Sequence, residues 1–358
     1  MNKKISVIMP FVNEWPQIAF TIRAVREELE GFCDYEIIAI DNYCKEVEEQ
    51  GQVPDRAHDG YVLNKKRIPM YGETIHPEAQ YSQGHIKAQA YQHDWLKYYS
   101  YDSKLSHWNA KNYGVSKSTG EILLFLDAHV MPSYHSLVYA ACYYNAMMGH
   151  KEFQNDTLHL PLSYHILENK RLAYKLVYQP RLGNVHYSFT SFLEKDGEEP
   201  GISECLGPDN LKEYITELPC MSTCGMFMSR KLYDKLGGWP EVMGIYGGGE
   251  NFINFSLAII GGRKFISNYG TLHHHGDRRN YHYNWADYHT NRMAATHCFG
   301  GMEWVNKYRT ALGNPGNKGV NMMLERAVMG THDHRRNLKE NQVLGIEEWA
   351  SKWGEKNG

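Results

Sequence analysis

Leu126-Asp127-Ala128-His129 places an acid and a histidine two residues apart, directly after the apolar stretch that begins at Gly120-Glu121-Ile122. Side chains alternate along a strand, so Asp127 and His129 would point the same way beyond its carboxyl end. A carboxylate oxygen beside an imidazole nitrogen suits a borderline divalent ion such as Mn²⁺ better than Mg²⁺, which favours all-oxygen shells. His273-His274-His275 follows a later apolar stretch and offers a further ligand. Gly247-Gly248-Gly249-Glu250-Asn251 opens a helix over 250–260, with glycines that allow a tight turn and close approach to a ligand. Each feature alone has an ordinary structural reading. An acid and a histidine can cap a loop, a histidine run can be a solvated turn, and a carboxylate at a helix start is favoured by the macrodipole.

The elements that must position these residues are readable in part. Ile5–Met9 is a short apolar run, followed by Asn13-Glu14 and a helix over about 15–30 with Ile18, Ile22, Val25 and Leu29 on one face. Residues 35–41 and 120–127 read as buried strands, each ending in an acid. Continuous apolar strands alternating with amphipathic helices predict an α/β fold with a mostly parallel sheet. Ligands collect at the carboxyl ends of such strands, where Asn13, Asp41 and Asp127 fall. Residues 43–107 are polar and weakly periodic and read as a long insertion, and 194–217 as an acidic surface loop. Residues 157–192 read as further strands with aromatic alternation, and the last ~40 residues as peripheral helix and tail.

The chain has 358 residues, 42% hydrophobic and 22% charged, the profile of a globular protein. It has no apolar run near the ~20 residues of a membrane-spanning helix, and its first strand is too short for a secretory segment. The seven cysteines are odd in number and form no C-x-x-C pair, so reduced thiols and a cytoplasmic setting are expected. Net charge is −3, unevenly placed: residues 1–262 carry −8, whereas 263–340 carry +6 and eight histidines. That basic segment suits an anionic ligand.

In order, these motifs resemble the GT-A glycosyltransferases, and among them the polypeptide N-acetylgalactosaminyltransferases and their bacterial relatives. Ser6–Glu14, Glu36–Asp41, Ala110–Gly114, Gly120–His129, Pro219-Cys220-Met221, Gly225-Met226-Phe227, Leu236–Met243 and Gly248–Asn251 fall in the family's order, over residues 5 to about 283. Residues 43–107 and 150–217 match poorly. The resemblance implies a GT-A catalytic domain over 1–283, with 284–358 as a C-terminal helical extension. It implies that Asp127, His129 and His274 hold Mn²⁺ or Mg²⁺ against the diphosphate of a nucleotide sugar, expected to be a UDP-sugar. The neighbours His273 and His275 leave the third ligand open by one residue of register. Asn13, Asp41, Lys111, Asn112 and Gly225 are expected near the donor, and Arg278 and Arg279 in a lid over the diphosphate. Glu250 and Asn251 are the expected catalytic pair. In inverting relatives an E-D pair stands there, so Glu250-Asn251 implies retention, with donor phosphate taking the acceptor's proton.

The acceptor is a hydroxyl whose carrier stays open. Glycans, lipids and small molecules fit, as does protein. Residues 263–340 also interleave Tyr269, Tyr281, Tyr283, Trp285, Tyr288, Trp304 and Tyr308 with basic side chains. Positive charge with stacking surfaces is what a nucleic-acid groove requires, so a hydroxymethylated DNA base is an alternative acceptor. The chain departs from the family in one extra residue in the Pro219–Gly225 and Tyr246–Gly249 regions, which line its sugar pocket. A non-catalytic nucleotide-sugar-binding protein and a nucleotidyltransferase are the rivals outside glycosyl transfer. Against the second, no Gly-rich phosphate loop follows the first strand.

Overall fold

The structure is a computed structural model that describes residues 3–12, 14, 16–45, 47, 79–164, 171–179, 184–192, 211–275, 283–313 and 316–354. In chain order its elements are β1 (Ile5–Phe11), α1 (Gln17–Leu29), β2 (Tyr35–Asp41), α2 (Ala79–Gln92), β3 (Leu96–Ser100), α3 (His107–Lys117), β4 (Ile122–Phe125), β5 (Val130–Pro132) and α4 (Ser136–Gly149). Then come β6 (Thr157–His159), β7 (Leu162–Ser163), β8 (Leu172–Gln179), β9 (Asn184–Ser191), β10 (Ile215–Leu218), β11 (Met226–Ser229), α5 (Arg230–Leu236) and α6 (Gly249–Ile259). The described chain ends in β12 (Lys264–Ser267), β13 (Leu272–His274), α7 (Trp285–Leu312), α8 (Lys318–Met329), α9 (His332–Glu340) and α10 (Ile346–Gly354).

An eight-stranded sheet has the order β10-β12-β6-β11-β4-β1-β2-β3, and a five-stranded sheet the order β5-β13-β7-β8-β9. The larger sheet is parallel from β4 through β3, as the continuous apolar runs predict, because both its faces are covered. It is mixed beyond β4: β11 runs antiparallel to both β4 and β6, and β10 to β12. Every residue of β1 and β4 is buried. The helix α1 turns Ile18, Ile22, Val25 and Leu29 inward, the face its spacing predicts.

Three expectations need correction. The surface loop read over 194–217 ends in β10, which pairs antiparallel with β12 from Ile215↔Ser267 to Leu218↔Lys264. The supposed insertion 43–107 contains β3, a parallel edge strand paired with β2 from Ile37↔Leu96 to Asp41↔Ser100. Its sequence, Leu-Lys-Tyr-Tyr-Ser, is too polar to stand out as a strand. The final helices are not peripheral, since Val320, Met323, Ala327, Leu338, Ile346 and Trp349 belong to the main core cluster. Trp349 lies edge-on to Phe255, and the buried Lys264 ammonium sits 4.2 Å from the Trp349 ring centroid. Burial lowers that ammonium to about 8. The described cysteines are free thiols, while Cys205 lies outside the described residues. No helix among the described residues is long and apolar enough to cross a membrane.

Candidate active site

The site forms where the two sheets meet, just beyond β4. After Phe125 the chain delivers Asp127 and His129 and then enters β5 in the second sheet. There β13 pairs antiparallel with β5, His274 opposite Val130, and parallel with β7 on its other side. Alternation along β13 separates the three consecutive histidines. The cluster takes His274: one ligand atom from each of Asp127, His129 and His274 lies within 4.8 Å of the others. The His274 Nε2 is 3.3 Å from Asp127 Oδ2, and the His129 and His274 rings meet edge to face at 4.6 Å.

These three side chains fit a divalent cation. His129 Nδ1 is 2.7 Å from Glu14 Oε1. An Nδ1–H donated to that carboxylate leaves the Nε2 lone pair available, the usual arrangement behind a metal-bound histidine. Asp127 Oδ1 is buried without a hydrogen-bond partner among the described residues. The His107 Nε2 at 3.6 Å and the Lys111 Nζ at 3.9 Å are beyond hydrogen-bond reach of it. Burial alone would raise the Asp127 carboxyl, but His274, Lys111 and His107 hold it well below the usual carboxylate range. An anionic oxygen left unbonded among cationic and imidazole groups is an open position for a ligand.

Lys111 lies in the interior beside this cluster. It is fully buried, with Nζ over the rings of Trp108 and Trp239 at 5.2 and 5.7 Å. The ammonium donates to Thr223 Oγ1 at 3.5 Å, and that hydroxyl donates to Glu250 Oε1 at 3.1 Å. One buried ammonium therefore stands between two carboxyl groups, those of Asp127 and Glu250. Burial raises the Glu250 carboxyl, and Lys111 and Thr223 oppose that rise.

The triple glycine before Glu250 has a packing reason. Gly248 caps α6 with φ +76, and a Cβ there would meet the Asn291 carbonyl oxygen at 2.4 Å. A Cβ on Gly249 would meet the Trp108 ring at 2.3 Å, and one on Gly247 the Tyr288 ring at 2.6 Å. The glycines thus bring the start of α6 against α3 and α7, which fixes where Glu250 and Asn251 stand.

The remaining sequence-predicted residues divide. Asp41 is 2% exposed at the end of β2, accepting from the Tyr43 amide at 2.9 Å and the Tyr98 hydroxyl at 2.8 Å; burial raises its carboxyl to about 6. The Asn112 amide is occupied by the backbone: Nδ2 donates to the Trp239 carbonyl at 2.7 Å, and Oδ1 accepts from the Trp239 amide and Tyr233 hydroxyl. Gly225, at φ +78, enters β11 where a Cβ would strike Leu272 at 2.5 Å. Asn13, Arg278 and Arg279 lie outside the described residues. Sequence reasoning missed Glu14, His107, Thr223 and His186. Glu14 adjoins the Asn13 it did select, and Thr223 falls in the Pro219–Gly225 stretch the resemblance singles out, but nothing local marks His107 or His186.

The interleaved aromatics also divide. Tyr269, Trp304 and Tyr308 are core residues, whereas Trp285 is 54% and Tyr283 36% exposed. Tyr283 and Tyr288 cluster with Tyr246, just before the triple glycine. Tyr281 lies outside the described residues.

No protein-family model matches the chain, and no curated protein matches it in sequence. Its fold does match a solved structure, the crystal structure of GalNAc-T7 with UDP, GalNAc and Mn²⁺, at a TM-score of 0.64 and 13% sequence identity. The match covers 99% of this chain and 57% of that one, so this chain spans little more than half the neighbour's length. With its large central sheet, its flanking helices and this likeness, the chain has the GT-A fold.

Proposed function

We propose that the protein is a metal-dependent glycosyltransferase that moves a sugar from a nucleotide sugar, a UDP-sugar in the first instance, onto a hydroxyl. The observation that carries the reading is the cluster of Asp127, His129 and His274 beside the Lys111–Thr223–Glu250 chain. The neighbour with UDP, GalNAc and Mn²⁺ supports it through the shared fold. Asp127, His129 and His274 would hold the ion, Mn²⁺ in preference to Mg²⁺ on ligand chemistry. A divalent ion held there would supply Lewis acidity toward the charge that develops on the departing nucleoside diphosphate. Glu14 orients His129, and the Lys111 ammonium favours the anionic forms of Asp127 and Glu250.

Glu250 and Asn251, presented by the first turn of α6, would face the donor sugar. Asp41, at the carboxyl end of β2, would face the base, and Arg278 and Arg279 the diphosphate. Retention follows from the Glu250-Asn251 pair, with phosphate oxygen taking the acceptor's proton. Analysis of the product's anomeric configuration by NMR checks this, and an inverted linkage would sink it. Residues 1–283 would form the catalytic domain and 284–358 a helical extension that shares its core.

Thermal shift with nucleoside diphosphates and UDP-sugars, with and without Mn²⁺, tests the donor site. Stabilisation by UDP that requires Mn²⁺ and is absent in Asp127→Ala is expected. No response to any nucleotide would defeat the reading and leave a non-catalytic role. A nucleic-acid acceptor bearing hydroxymethylated bases is a second reading, favoured by exposed Trp285 and by Tyr283, which packs on Tyr246 just before the triple glycine. Steeply salt-dependent DNA binding would support it, and no duplex binding at low salt would remove it.

A further inference from the structure

Asn251 is held by a relay that begins on α7. Arg292 NH2 lies 2.9 Å from His186 Nε2, and the Asn251 Nδ2 position lies 3.0 Å from His186 Nδ1. His186 comes from β9, so the relay joins three elements distant in sequence. The Arg292 guanidinium is steadied over the Tyr288 ring, 4.5 Å from its centroid, and Tyr288 in turn packs on Gly247.

The hydrogens of this relay can be placed by elimination. A guanidinium only donates, so His186 Nε2 must accept and carry no hydrogen. Burial and the adjacent Arg292 charge both disfavour the imidazolium, so His186 is neutral. The one ring hydrogen is then on Nδ1, which donates. Two orientations of the Asn251 amide fill the same space. With Nδ2 towards the ring, two donors face each other across 3.0 Å. With Oδ1 towards the ring, each hydrogen has an acceptor.

We propose that Arg292, acting through His186, fixes the polarity of the Asn251 amide so that its NH₂ group faces the ligand and donates to an oxygen of the donor sugar. His186 and Arg292 are positioning residues. The assignment rests on the reading above that Asn251 faces that sugar. A hydroxyl, ring or acyl oxygen of the sugar would be recognised at this point as an acceptor.

Two measurements on the full chain test this. In ¹⁵N-histidine-labelled protein, long-range ¹H–¹⁵N imidazole correlation reads the tautomer of His186, assigned by the signal lost in His186→Gln. A hydrogen on Nδ1 in the wild type, giving way to mixed tautomers in Arg292→Leu, is expected. The second measurement is titration with UDP, UDP-glucose, UDP-galactose and their N-acetylamino counterparts in Mn²⁺. Arg292→Leu should lower the affinity gained from the preferred sugar roughly 10-fold, the scale of one lost hydrogen bond. Binding of UDP itself should stay within about twofold, and Arg292→Lys, which keeps a donor but loses the flat guanidinium over Tyr288, should restore part of the gain. A merely structural Arg292 would weaken UDP and UDP-sugar alike. A hydrogen on Nε2 in the wild type, or an unchanged sugar gain in Arg292→Leu, overturns the proposal. A wild type that binds UDP yet gains nothing from any sugar overturns it together with the donor reading, and that result does not depend on the variants.

Discussion

Glu36, buried, and Asp127, half-buried, are carboxylates at opposite ends of one sheet, each with a lysine beside it, yet their surroundings differ in kind. Glu36, near the amino end of β2, accepts from the Ser6 hydroxyl at 2.7 Å and from the Thr119 amide and hydroxyl at 2.6 and 3.0 Å. It also pairs with Lys97, and with Lys4 at 3.5 Å. Burial alone would raise it, but these partners bring its carboxyl down to about 2. Asp127, past the carboxyl end of β4, keeps one buried oxygen unbonded among the described residues, and its lysine stops at 3.9 Å. A satisfied carboxylate contributes to the fold, whereas an unsatisfied one beside two imidazoles is kept at a cost that only a ligand recovers. On the proposed function, the amino end of the sheet serves stability and the carboxyl end serves binding.

The sharpest way to break that contrast is Asp127→Asn. Loss of one anionic ligand should abolish the Mn²⁺-dependent thermal shift and lower transfer by ~10³-fold, several kcal/mol of transition-state stabilisation. Retained metal-dependent turnover would refute the assignment. Glu36→Gln should do the reverse, destabilising the chain by about 2–3 kcal/mol in urea titration while leaving Mn²⁺ binding intact. If it instead weakens metal binding, the two ends of the sheet are not separable. Glu14→Gln sharpens the comparison inside the site. It leaves the three proposed ligands in place but should weaken Mn²⁺ affinity ~10- to 100-fold, measured by calorimetry.

The smallest effect lies in acid. Glu36 is depressed in the folded chain, so its stabilisation is fully present above the unfolded carboxylate range near ~4.3 and is lost as pH falls through about 2. The stability difference between wild type and Glu36→Gln should therefore shrink across that window. A difference that stays constant from neutral pH to pH ~2 would count against it.

What could be read from the sequence follows from how each signal is encoded. Residues 35–41 and 120–127 announce buried parallel strands because they are apolar without interruption, but β4 ends at Phe125, so it is the turn into β5 rather than strand alternation that brings Asp127 and His129 together. The choice of His274 over His273 and His275 is not local either, because register is decided by pairing with β5 and β7. The strand β3 was hidden because an edge strand can be half polar. His186 gave no signal, since its meaning comes from Asn251 and Arg292, 65 and 106 residues away. Trp304 and Tyr308 suggested an exposed stacking surface only because composition cannot tell a core aromatic from a surface one.

The position of β13 also governs the order in which the molecule can be completed. It is the final strand in the described chain, yet in the smaller sheet it lies second, between β5 and β7. Until it inserts, both neighbours present unpaired edges, and the Asp127–His274 contact must span 147 residues. A fragment ending before Leu272 would hold Asp127 and His129 without their partner. Cation uptake during refolding should thus appear late, timing the closure of the second sheet rather than the collapse of the first.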